Sequence, residues 1–247
     1  MTYENYVFDL YGTLIDIHTD ESGEEFWRSI AELYACAGVR YSPKELQKKY
    51  LLYCADDERT LALRTGYAFP EIRLENVFLR LLDGENIPEE KKTEWVRALA
   101  KCFRTLSRDH LCVFPPTLPT LRELKRRGKR LFLLSNAQTV FTEDELALTG
   151  VDGFFDGILI SSDCGMRKPQ SEFMRLLLDR FGLDPKKTVM IGNDASTDMV
   201  IASECGVDGV LLNTSHECAE TLNKRIQGLG LTGIRIISSG DLSELIK

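Results

Sequence analysis

Two periodicities in this chain leave room for few architectures. Tyr6-Val7-Phe8-Asp9 reads as a short strand, yet from about Ser22 to His110 the apolar residues recur only at helical spacing. Phe26, Trp27, Ile30, Leu33, Tyr34 and Ala37 share one stripe, and Gly38 closes it. Ser42-Pro43-Lys44-Glu45 has a serine N-cap, a first-turn proline and a glutamate at N3, the start of a second helix. Ile72, Val77, Phe78, Leu81 and Leu82 form a third stripe, and Trp95, Val96, Leu99, Ala100, Phe103 and Leu106 a fourth. Past Val113-Phe114-Pro115-Pro116 the pattern changes to alternation. Strands are expected at 130–135, 158–160, 188–192, 207–212 and 234–237, with helices at 118–127, up to 149, 172–181 and 197–205. A lone strand is not stable beside four helices, so the first strand must join the later sheet. The expected fold is therefore an α/β, doubly wound parallel-sheet core (residues 1–15 and 113–247) with an inserted all-helical cap (residues 16–112).

An insert that leaves the sheet just after a strand's carboxyl end stands over the crevice where open α/β sheets bind ligands. The cap is thus placed to act as a lid, with hinges near Asp16–Gly23 and His110–Pro116. Four polar clusters lie at strand ends facing that crevice: Asp9; Ser135-Asn136; Arg167-Lys168-Pro169; and Gly192-Asn193-Asp194 with Asp198. A carboxylate fixed at a strand end can attack an electrophile directly. Lys168 can hold Asp9 ionised. Ser135, Asn136 and the N–H groups of the turn through Gly12 and Thr13 can bind developing negative charge. Gly12 permits close backbone approach. Asp194 and Asp198, with Asp9 and the Tyr11 carbonyl, are oxygen ligands of the kind Mg²⁺ takes. Singly, each has a duller reading: Asp9 as a turn acid, Ser135-Asn136 as turn chemistry, Lys168 as a loop lysine, Asp194 as an N-cap. Their shared placement at strand ends makes the set specific.

Bulk properties narrow the partners. A net charge of −7 with no long basic block disfavours nucleic acid and anionic membranes. The one dense basic run, Lys125 to Arg130, sits at a helix end, where cations complement exposed carbonyls. No apolar run approaches the roughly 20 residues that span a bilayer, and no targeting signal precedes the first strand. The 7 cysteines are odd in number and contain no CxxC pair, which argues against a disulfide framework or zinc site and for reduced thiols in a cytoplasm. His18, His110 and His216 show no metal-ligand spacing.

FDLYGTL (8–14), LLSNA (133–137), RKP (167–169) and IGNDASTD (191–198) together resemble the four motifs of the haloacid dehalogenase-like (HAD) superfamily, and the cap resembles its helical C1 type. The resemblance covers the whole chain. It implies Asp9 as nucleophile, Ser135 as phosphate-binding hydroxyl, Lys168 as positive anchor and the fourth motif as the Mg²⁺ site. Two departures matter. Where the superfamily's phosphatases usually carry a second aspartate as general acid, this chain has Tyr11, as the 2-haloacid dehalogenases do. Conversely, Asp194 and Asp198 point to metal, which those dehalogenases lack. Asn193 stands where many family phosphatases have their first metal aspartate, Phe173 lacks the hydroxyl of the dehalogenase tyrosine, and Arg28 is one candidate among several for their early-cap arginine.

The leading expectation is a Mg²⁺-dependent phosphatase of a small phosphorylated metabolite, forming an aspartyl-phosphate on Asp9. The alternatives are a metal-independent 2-haloacid dehalogenase and a low-turnover family member that binds a phosphometabolite or protein through its cap. Tyr34, Arg64, Tyr67 and Trp95 are the cap positions offered for specificity. Oligomeric state, monomer or dimer, is left open.

Overall fold

The computed structural model describes residues 3–82 and 88–247, so the first two core residues and 83–87 of the cap segment lie outside it. Six parallel strands form the core sheet: β1 (Asn5–Phe8), β4 (Arg130–Ser135), β5 (Gly157–Ile160), β6 (Thr188–Gly192), β7 (Asp208–Leu212) and β8 (Arg235–Ile237). Their order is β5-β4-β1-β6-β7-β8, so β1 lies between β4 and β6 with Phe8 level with Leu133 and Ile191. The chain direction of the crossovers reverses at β1, and this is the switch point where strand ends open a crevice.

Both sheet faces are covered, which explains the near-continuous apolar strands. Val7, Phe132, Leu134, Met190 and Leu211 pack on one side with α8 (Ser171–Phe181), α9 (Val200–Glu204) and α10 (Ala219–Gly228). Tyr6, Phe8, Leu131, Leu133, Ile191 and Leu212 pack on the other with α5 (Thr117–Arg126) and α6 (Thr139–Thr149). Each fully buried Leu or Phe contributes about 1.5–3 kcal/mol by leaving water. Phe173 belongs to the first of these cores and is fully buried, which explains why that position can do without a hydroxyl. A short α7 (Ser161–Cys164) follows β5.

The cap is α1 (Glu24–Cys36), α2 (Pro43–Thr65), α3 (Leu74–Arg80) and α4 (Glu89–Ser107) around a third core that includes Phe26, Trp27, Tyr50, Phe78 and Phe103. Ser42 caps α2 by accepting a hydrogen bond from the Glu45 N–H at 3.3 Å, and Gly66 ends it in the left-handed conformation, φ 74°. Tyr34 is fully buried and donates to the Phe78 carbonyl at 3.0 Å, with the Trp95 ring 5.1 Å away. Both residues pack in the cap's own core, and neither lines the cavity described below. Arg28 pairs with Glu24 and Glu25 on the exposed side of α1, away from the core.

Three local differences from the sequence reading stand out. The cap is joined to the core by an antiparallel ribbon, β2 (Ile15–Thr19) with β3 (Arg108–Val113), rather than by bare crossings. Its strands are short and apolar on one face only, so helical periodicity on either side obscured them. β1 ends at Phe8, which places Asp9 in the turn. The first turn after β6 is a π-helix, Ala195–Met199, before α9 begins, and such wide turns are frequent at functional sites. The basic run is accounted for within the chain: Arg126 and Arg127 both pair with Glu123, and Lys125 with Asp156. All 7 cysteines are free thiols. Among the described residues no helix is long and apolar enough to cross a membrane.

Candidate active site

The adjacency of β4, β1 and β6 brings three strand-end loops together, and the loop before α8 supplies the fourth. Asp9, Tyr11, Asn136, Lys168, Asn193, Asp194, Thr197 and Asp198 line one cavity of about 260 Å³. A larger cavity of 540 Å³ at the cap–core seam is lined by Arg64, Tyr67 and Arg73 among others, but none of the four strand-end motifs reaches it.

Lys168 is the centre of the constellation. Its ammonium lies 2.6 Å from Asp9 Oδ1, 2.7 Å from Asp198 Oδ1 and 2.9 Å from the Leu134 carbonyl. Asp9 and the Leu134 carbonyl accept hydrogen bonds from it, and Asp198 is held as an ion pair. Lys168 therefore orients the Asp9 carboxylate. Asn136 secures the lysine's main chain from both sides, accepting from its N–H at 2.7 Å and donating to its carbonyl at 3.0 Å. Burial pushes the Asp198 carboxyl up from the usual carboxylate range and the charge of Asp9 adds to this, while Lys168 opposes both.

Asp9 Oδ2 lies 3.1 Å from the Thr13 hydroxyl, which is also 3.2 Å from Asn193 Oδ1. Gly12 has φ +79°, and a Cβ there would meet the Asn193 side chain at 2.4 Å, so the turn and the β6 loop fit only with glycine. Gly192 plays the same part for Asp198, whose carboxylate occupies the space a Cβ would need. Ser135 is fully buried at the end of β4 and outside the cavity lining, and among the described residues its hydroxyl has no hydrogen-bond partner. A buried polar atom left unpaired costs about 1–3 kcal/mol, so Ser135 is held ready for an incoming acceptor or donor.

The acidic motif divides in two. Asp198 is fully buried, with Oδ2 accepting the Asp194 N–H at 3.1 Å, and serves Lys168. Asp194 is half-buried at the cavity and spends Oδ1 on Ser196, caging the π-turn from its N-cap position. Asp9, Asp194 and the Asn193 amide offer only oxygen, a donor set that fits a hard cation such as Mg²⁺.

Tyr11 does not face this chemistry with its hydroxyl. It donates to Glu145 Oε2 and lies 3.1 Å from the Thr142 hydroxyl. Burial pushes the phenol up, and the Glu145 charge adds to this. Glu145, wholly buried on α6, also accepts from Arg104 Nε and Arg108 Nη1, each at 2.8 Å. It thereby ties the nucleophile's turn to α4 of the cap and to the ribbon. Its signal in the sequence is an acid on the inward stripe of Phe141, Thr142 and Leu146, where an unpaired carboxylate would not survive. Tyr11→Phe should keep kcat within a few-fold of the parent, against the roughly 10²–10⁴ lost with a general acid. It should lower stability by about 1.5–3 kcal/mol for one hydrogen bond to a charged group. Steady-state kinetics and urea unfolding read the two effects separately.

On the cap side, Arg167 donates to the Pro70 carbonyl at 2.9 Å and to Glu58 at 2.7 Å, and Gln170 accepts from the N–H groups of Ala68 and Phe69. The two residues flanking Lys168-Pro169 thus grip the cap while Lys168 grips Asp9.

Residues 3–206 match the model of the family described as haloacid dehalogenase-like hydrolase. A glyceraldehyde 3-phosphate phosphatase of Methanothermobacter thermautotrophicus is 34% identical over 125 residues, 51% of this chain and 55% of that one. An (S)-2-haloacid dehalogenase 4A of Burkholderia cepacia is 25% identical over 216 residues, 84% of this chain and 81% of that one. Among solved structures, a HAD phosphatase from Thermococcus onnurineus superposes with a TM-score of 0.57 at 20% identity, covering 98% of this chain and 97% of that one. That likeness is one of fold. The chain spans about half the length of the first curated relatives it matches.

Proposed function

This chain belongs to the haloacid dehalogenase-like hydrolases, and on that premise we propose that it is a phosphatase acting on a small phosphorylated metabolite, with Asp9 as nucleophile and Mg²⁺ as cofactor. The observation that carries the reading is a carboxylate not paired with Lys168, Asp194, in the 260 Å³ cavity that holds Asp9 and Asp198. Halide displacement by a carboxylate needs no second acid, whereas phosphoryl oxygens bring charge that a divalent ion neutralises.

In this mechanism Lys168 holds Asp9 Oδ1, so Oδ2 is the attacking oxygen. It forms a bond to phosphorus as the bond from phosphorus to the substrate oxygen breaks. The departing oxygen takes its proton from water, because the Tyr11 phenol is committed to Glu145. Water then attacks the aspartyl-phosphate, releasing inorganic phosphate and restoring Asp9. Ser135 would bind a phosphoryl oxygen and Asn136 acts by fixing Lys168; the Gly12 and Thr13 N–H groups, expected from the sequence to share that task, are spent on the Ile15 and Leu10 carbonyls. Asp9 and Asp194 would hold Mg²⁺, with the Tyr11 carbonyl beside them. The ion supplies charge neutralisation at the phosphoryl group. Asp198 is assigned to Lys168 rather than to the metal. The small cavity under a lid favours a small substrate over a macromolecule.

Phosphate release from a panel of phosphorylated metabolites should fall to background in EDTA and return with Mg²⁺. Equal rates under both conditions remove the metal from the reading. Tyr11 and the long alignment with the haloacid dehalogenase favour a second reading, halide release through an aspartyl ester. It predicts chloride release from 2-chloropropionate that EDTA leaves unchanged.

A further inference from the structure

The ribbon that carries the cap has a chemistry of its own. Alternation along β2 and β3 turns Ile15, Ile17, Leu111 and Val113 inward and puts Asp16, His18, His110 and Cys112 on the outer face. The register sets Asp16 directly across from Cys112 and His18 across from His110. Two successive rungs on that face, with Ile17–Leu111 between them pointing the other way, therefore present a carboxylate, a thiol and two imidazoles.

Three of these donors already converge. His110 Nε2 is 3.1 Å from Asp16 Oδ2 and 3.3 Å from Cys112 Sγ, and the three donor atoms all lie within 4.8 Å of one another. Metal–ligand bonds of about 2.0–2.3 Å at tetrahedral angles place neighbouring donors roughly 3.3–3.8 Å apart, close to this spacing. His18 is oriented as well: its Nδ1 lies 2.8 Å from Asp109 Oδ1. A carboxylate partner of that kind keeps the proton on Nδ1 and leaves Nε2 as a ligand. As an ion pair, half-exposed Asp16–His110 contributes little to stability.

We propose that Asp16, His110 and Cys112, completed by His18 from the next rung, form a binding site for a borderline divalent cation of the Zn²⁺ class on the cap-bearing ribbon. Mixed sulfur, nitrogen and oxygen donors select such an ion over Mg²⁺, which takes oxygen. Binding forms a metal–thiolate bond and releases the Cys112 proton to solvent, while the His110 proton sits on Nδ1. No electron is transferred. The ion would cross-link the two strands through which the cap is attached, at residues that do not line the Asp9 cavity.

The test uses the full chain, reduced and metal-stripped, with excess Mg²⁺ present to occupy the carboxylate site. Co²⁺ titration should give one saturable equivalent, with thiolate-to-cobalt charge-transfer absorption and the intense visible bands of tetrahedral cobalt, both bleached by Zn²⁺. Cys112→Ser should abolish the charge-transfer band, and His18→Ala should weaken Co²⁺ binding at least about 10-fold. No saturable charge-transfer band in the parent, or an unchanged titration in either variant, overturns the assignment. The readout does not involve turnover, so it stands or falls separately from the phosphatase reading.

Discussion

Asp9→Asn should leave a folded protein whose turnover, on whichever substrate the parent consumes, is lower by at least about 10⁴-fold, or ~5.5 kcal/mol of lost transition-state stabilisation. The shape of the side chain survives the change and its nucleophilic oxygen does not. Folding should tolerate the substitution because Lys168 keeps Asp198 at 2.7 Å and the Leu134 carbonyl at 2.9 Å, so no buried charge is stranded. The stability change should stay within about 3 kcal/mol, the upper scale of one altered hydrogen bond to a charged group. Single-turnover kinetics alongside urea unfolding separate the two effects. A folded variant retaining more than a tenth of the parent's rate would mean that Asp9 forms no bond to substrate, and both hydrolytic readings would fall with it.

The sheet was legible because its strands are buried on both faces and therefore nearly continuous in apolar residues. β4 at 130–135 and β6 at 188–192 stand where the run of Leu, Phe, Val and Ile places them. The convergence of Asp9, Lys168 and the β6 loop was legible for a different reason: parallel strands end on one side, and β4, β1 and β6 are neighbours. The ribbon was not. Its inward residues are only Ile15, Ile17, Leu111 and Val113, too few for a period-2 signal, and its pairing joins segments some ninety residues apart, which no local pattern records. Role assignments inside the site were harder still. Sequence could place Asp194 and Asp198 on one loop, but only packing shows that Asp198 pairs with Lys168 while Asp194 bonds Ser196, both at the cavity. Similarly, Tyr11 was legible as a missing acid, yet its partner Glu145 comes from a helix distant in sequence.

Lys168 makes three demands on the fold at once, and Lys168→Met exposes them together. Methionine fills similar space without charge, so the effect isolates electrostatics from packing. Two carboxylates, Asp9 and Asp198, then share a buried site with no cation, and removing one partner from such a group costs about 3–5 kcal/mol. The loss should depend on pH, and the sign follows from Asp198. Its carboxyl is already pushed up by burial with Lys168 opposing, so without the lysine it rises further. A carboxyl raised in the folded state binds its proton more tightly there than in the unfolded chain, where it titrates near 3.9. Its contribution is therefore fully present below that value and is lost as pH climbs through the raised folded value. The stability difference between parent and variant should change little from pH 4 to about pH 7, where Asp198 titrates with Lys168 in place, and should widen from there toward pH 9 as the variant alone keeps its raised proton. Urea midpoints for both proteins across that range measure it, and turnover at neutral pH should be lost as well, since Asp9 no longer has a cation to hold it. A difference that stays flat with pH would contradict the ion triad as drawn, because then the two carboxylates would not depend on Lys168 for their charge.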